Sequence, residues 1–210
     1  MPPQTAITSV EIDNEDAVRL FAAMFADGDG DDARTAATAG AASRVMYLQK
    51  IGFPSATKAG RGRRVTHDIE AVLKLATAMQ LIDLGVSAAR AAVTVSAYWR
   101  MLSHTLAQAW SRAGGRAKDG TVRRDKTQTG PALLCFRPAA VSTGDGALVT
   151  DTTNAKELDL ALREGSHAFR GVLLLNPAAL VSSVEKLLTA ELRYRDAEVA
   201  DAMERFAQGR

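Results

Sequence analysis

Tyr47–Asp68, "YLQKIGFPSATKAGRGRRVTHD", holds Lys50, Lys58, Arg61, Arg63 and Arg64, and its only acid is its last residue. Pro54, Gly60 and Gly62 deny its middle a helical period, and helical patterns flank it on both sides. A bendable cationic segment between two helices is either a solvated loop or a hairpin set against a phosphate backbone. The choice depends on the neighbours it joins.

Upstream, "ARTAATAGAASRVMYLQKIGF" (33–53) predicts a short helix, a turn at Gly40 and a second helix running to about Lys50. Ser43 is the candidate N-cap of that second helix, and Gly52 is placed to end it in the left-handed conformation. Before it, "NEDAVRLFAAMFADGDGDD" puts Val18, Leu20, Phe21, Met24 and Phe25 on a helical stripe behind a loose tail. Eight acids against one base, Arg19, make Glu11–Asp32 strongly acidic. Downstream, "THDIEAVLKLATAMQLIDLG" predicts a helix capped near Thr66 and stopped by Gly85. A longer one follows over 87–111, with Ser87 as cap, Gly114-Gly115 as stop, and an apolar side that includes Tyr98, Met101, Leu102 and Trp110.

From 112 to 126 six bases meet two acids, and the segment 112–130 reads as a basic linker. The pattern then changes. "PALLCFRPAAV" and "GALVTDT" are predicted strands, "NAKELDLALREG" a helix capped by Asn154, "FRGVLLLNP" a short strand, and the remainder a long helix or a pair of them. The predicted fold class is mainly α, with a small α/β unit of order β-β-α-β-α at the C-terminal end.

The order helix, turn, helix, basic hairpin, helix, glycine, helix is what a winged helix-turn-helix requires. Gly40, Tyr47, "QKIGF" (49–53), "RGRRVTHD" (61–68) and "DLGVS" (83–87) together resemble the MerR-like DNA-binding domain over residues 33–110. Val65 stands where that family usually carries a tyrosine, and about thirty residues precede the expected start of the domain. The resemblance implies a recognition helix in the major groove and a wing on the adjacent backbone. Carried onto this chain, the DNA-binding set is Ser43, Arg44, Tyr47, Lys50, Lys58, Arg61, Arg63 and Arg64. Arg44 would read a guanine edge, Ser43 and Tyr47 would bind phosphate, and the wing cations would neutralise the backbone. Tyr47 half-buried, Arg44 on a solvated face, and Arg64 paired with Asp68 are the structural alternatives.

The organisation expected from these patterns is an acidic segment at 1–32, a winged-helix domain at 33–111, a linker at 112–130 and a C-terminal oligomerisation or sensing unit at 131–210. The corresponding function is sequence-specific transcriptional regulation by a homodimer paired through helix 87–111 or the terminal helix. RNA polymerase or another protein is a further candidate partner of the C-terminal unit. The alternative is a DNA-packaging or recombination accessory protein of small-terminase or excisionase type, since these use similar winged helices.

Other classes have little to stand on. A lone cysteine, Cys135 in "ALLCF", offers no disulfide or paired metal site and reads as a buried thiol. His67, His104 and His167 have no acid or cysteine at ligand spacing, so no metal or cofactor is expected. No P-loop, GxGxxG or nucleophile–base pair suggests an enzyme. No signal pattern or long apolar run appears, so a cytoplasmic protein is the expectation.

Overall fold

A computed structural model describes residues 10–26, 30–54, 65–113, 132–137, 148–163 and 173–209. The chain is mainly helical, with small antiparallel sheets. Strand β1 (Glu11–Asp13) pairs with β2 (Thr66–Asp68), with Ile12 opposite His67. A ribbon this short is marginal alone. Here each strand turns directly into a helix capped by its own aspartate. Asp13 accepts from the Asp16 amide at 2.9 Å to start α1 (Asn14–Met24), and Asp68 accepts from the Ala71 amide at 2.8 Å to start α3 (Ile69–Asp83). The cap of α3 is therefore Asp68 and not Thr66, which sits in the strand. Val10, at the end of the ten residues expected to form a loose tail, is buried, and Ile12 is fully buried.

Helix α2 (Asp31–Lys50) runs unbroken through Gly40, so the expected turn is absent and Ser43 lies inside the helix instead of capping it. The reason is energetic. A mid-helix glycine costs about 1 kcal/mol relative to alanine. The surrounding alanines are strong helix formers, and Ala41, Val45 and Leu48 gain burial on the inner face. The helix ends as expected at Gly52, whose φ of +84° suits a residue without Cβ. The Phe53 amide then bonds the Leu48 carbonyl at 2.9 Å, and Phe53 tucks into the core. Gly85, with φ of +88°, ends α3 in the same way.

Helix α3 is apolar nearly all round, with Val72, Leu73, Leu75, Ala76 and Met79 fully buried, and forms the centre of the molecule. Helix α4 (Ala88–Ala113) starts at Ser87, whose carbonyl accepts from the Ala91 amide at 2.9 Å. The second sheet has the order β4-β3-β5, built from β3 (Ala132–Arg137), β4 (Val149–Asn154) and β5 (Leu173–Leu175). Its inner face presents Leu134, Phe136 and Leu175, and Cys135 is buried. Asn154 caps α5 (Ala155–Arg163) through the Glu157 amide at 2.9 Å. Helices α6 (Pro177–Ala190) and α7 (Asp196–Gln208) resolve the terminal pattern as a pair.

One core runs through both halves. Helices α6 and α7 pack on α1, α3 and α4. The Trp110 indole donates to Glu185 at 2.7 Å, the Trp99 ring lies 6.3 Å from Phe206, and the Tyr194 hydroxyl donates to the Glu11 carbonyl at 2.6 Å. The acidic first segment joins the same core through Leu20 and Phe21 of α1. Much of both apolar stripes expected to pair two copies faces the core of the chain, with Tyr98, Met101, Leu187 and Leu192 partly buried against it. Trp99, Leu102 and Trp110 of α4, and Leu180, Val184, Leu188, Met203 and Phe206 of the terminal pair, are all buried. No helix among the described residues is long and apolar enough to cross a membrane.

Candidate nucleic-acid interface

An α-helix turns about 100° per residue, so positions three, four and seven apart share a face. On α2 the inner face takes Ala41, Val45 and Leu48, and the outer face takes Ser43, Met46, Tyr47 and Lys50. Met46 is 66% exposed and Tyr47 45% exposed, and none of these four outer side chains makes a hydrogen bond or ion pair among the described residues. Tyr47, with 45% of its surface exposed, is about half-buried and still open to solvent on the outer side.

Arg44 is separated from this group. One residue on from Ser43, it turns to the flank and meets Asp83, the last residue of α3, at 3.7 Å. Ser43, Tyr47 and Lys50 are brought together, and Arg44 is drawn toward a carboxylate beside them. Lys58, Arg61, Arg63 and Arg64 lie outside the described residues, as does the expected hairpin around Gly60 and Gly62.

A part-buried polar cluster behind the outer face was not legible from the sequence. Asn14 and Gln49 exchange amide hydrogen bonds, the Asn14 amide donating to Gln49 Oε1 at 3.2 Å. The His67 ring nitrogen Nε2 lies 3.0 Å from Asn14 Oδ1. The same nitrogen lies 3.3 Å from Gln49 Nε2, which can only donate, so it faces one acceptor and one donor. Burial pushes the imidazole below the ordinary histidine value, against the opposing pull of the Asp68 and Asp13 carboxylates. Three elements meet here: the first turn of α1, the last turn of α2, and the strand on which the chain returns from the basic segment. The residues stand 35 and 53 positions from Asn14, so no local pattern announces them.

Charge is sorted along α2. From 33 to 67 the chain has no acid and seven bases, Arg34, Arg44, Lys50, Lys58, Arg61, Arg63 and Arg64. The acids Asp31 and Asp32 sit in its first turn, about 28 Å from Lys50 at 1.5 Å per residue. Lys50 in the last turn also faces the negative end of the helix dipole.

Away from α2, polar groups lining one groove are engaged in holding the fold. An open groove of about 460 Å³ is lined by residues including Val10, Asp68, Glu70, Arg205 and Phe206. Its Asp68 caps α3, and its Glu70 accepts from the Trp99 indole at 2.8 Å and pairs with Lys74 at 2.9 Å. Among the described residues no cluster of three His, Cys, Asp or Glu side chains is arranged to hold a metal ion. Compared with family models, with curated proteins and with solved structures, the chain gives no significant match.

Proposed function

We propose that the protein is a sequence-specific regulator that binds double-stranded DNA with the outer face of α2 in the major groove and the basic segment 54–65 on the adjacent backbone as a wing. The observation that carries this reading is the closure of β1 on β2. The chain leaves α2, passes through its most cationic stretch, and returns to pair with the strand that feeds α1. The roots of the basic segment are thereby held against the end of the helix with the open polar face. In this arrangement α1 and α2, joined across 25–30, supply the helix pair of a winged helix-turn-helix, in place of two helices divided at Gly40.

Ser43, Tyr47 and Lys50 are the α2 groups presented for phosphate and base contacts, and Lys58, Arg61, Arg63 and Arg64 supply phosphate neutralisation. Two copies on a two-fold site would pair through faces other than the stripes of α4 and the terminal helices. The test is fluorescence anisotropy of the full chain on duplex DNA upstream of its own coding sequence, at two salt concentrations. A steep loss of affinity with salt, flattened by the triple change Arg61→Ala, Arg63→Ala, Arg64→Ala, is the expected result. Salt-independent binding, or none, refutes the reading.

A further inference from the structure

Resting on that reading, we infer that Met46 is a specificity-determining residue, and that it recognises the C5-methyl group of a pyrimidine, thymine in unmodified DNA. Met46 is the most exposed large apolar side chain among the described residues. It lies on the outer face of α2 between Ser43 and Lys50 along the axis, three residues after the one and four before the other, about 100° round the helix from Tyr47. Along the axis, a hydroxyl and an ammonium group thus bracket an exposed apolar side chain. Arg44, the side chain expected to read a guanine, is drawn to the flank by Asp83. A helix laid in the major groove with this face inward directs the thioether at base edges.

The major-groove edges of A, G and C offer only donors and acceptors, whereas thymine adds a methyl group. Burying Met46 against a polar edge leaves that edge without partners, so the methyl-bearing base is the one this position favours. The sulfur chain is flexible and unbranched, which lets it follow a methyl group without a fixed approach angle.

The experiment first selects preferred duplexes from a random pool with the full chain. Each thymine of the best site is then replaced in turn by deoxyuridine, which removes only the methyl group. For wild type, one thymine per bound copy responds with roughly three- to fourfold weaker binding, the size of one buried methyl contact. Met46→Ala binds the same site but shows no response at that position. Being exposed, the position tolerates this change in the folded state. Replacing the responsive T·A pair by 5-methylcytosine·guanine retains more affinity than unmodified cytosine·guanine does. A flat deoxyuridine scan, or a response that survives in Met46→Ala, overturns the inference while leaving DNA binding intact. Failure to enrich any duplex overturns the reading beneath it, and the inference with it.

Discussion

His67 on β2 sets its Nε2 3.0 Å from Oδ1 of Asn14, and so fastens the strand leaving the basic segment to the first turn of α1. Gln49 completes the cluster from the end of α2. A polar ring as buried as His67 persists only where polar neighbours satisfy it. Their arrangement sets the angle between the outer face of α2 and the roots of the proposed wing.

Stability should therefore fall as pH drops through the ordinary histidine range. His67 has a folded pKa lowered by burial, so the unfolded chain takes up its proton first, near 6.5. The contribution is complete above that value and is lost as pH falls toward the folded pKa. Urea midpoints between pH 7.5 and 5.5 should decline for wild type and decline less for His67→Gln. At pH 7.5 the variant should cost about 1 kcal/mol.

Arg44 and Lys50 should behave differently despite equal charge. Arg44→Ala removes an exposed pair with Asp83 and should change stability by less than about 1 kcal/mol. It should leave DNA affinity within about twofold. Lys50→Ala should weaken binding to all sequences alike and lower the salt slope by about 1. Anisotropy across a salt series separates the two outcomes.

Two glycines of one helix should respond in opposite directions. At Gly40 an added Cβ meets nothing within 4 Å, so Gly40→Ala should stabilise by about 0.5–1 kcal/mol. At Gly52 the space is also open, but the φ of +84° penalises any Cβ. Gly52→Ala should destabilise by about 1–2 kcal/mol. Thermal unfolding of both variants beside wild type is the check.

A fragment ending at residue 130 should not fold to a rigid state. It lacks Glu185 and Phe206, the partners of Trp110 and Trp99, and exposes the apolar side of α4 that α6 and α7 cover. Near-ultraviolet circular dichroism should be lost, and binding of a hydrophobic dye should rise, relative to the full chain.

The features readable from the sequence were those set by neighbouring residues. Gly52 and Gly85 as helix stops, Ser87 and Asn154 as caps, and the order of strands and helices after 131 depend on a few adjacent side chains. What stayed hidden needed the tertiary structure. The Gly40 turn looked plausible because glycine is a poor helix former, yet the burial of Val45 and Leu48 outweighs that preference. Strand β1 has three residues and no alternation long enough to detect, and it exists because β2 is there to meet it. The apolar side of α4 read equally well as a dimer seam or as core. Only the return of α6 and α7 decides for core. At the candidate interface, the sequence grouped Ser43, Arg44 and Tyr47 on one face and set Lys50 apart near the helix end. That Arg44 lies on the flank, 3.7 Å from Asp83 and 39 positions from it in the chain, needed the structure.

The continuity of α2 makes it a rigid lever. At one end Arg34 meets Glu191, just past α6, at 3.5 Å. At the other, sixteen residues and about 24 Å away, stands Lys50. With no hinge at Gly40, a tilt of about 5° at the Arg34 end carries Lys50 through about 2 Å, several times the roughly 0.5 Å spread of hydrogen-bond distances.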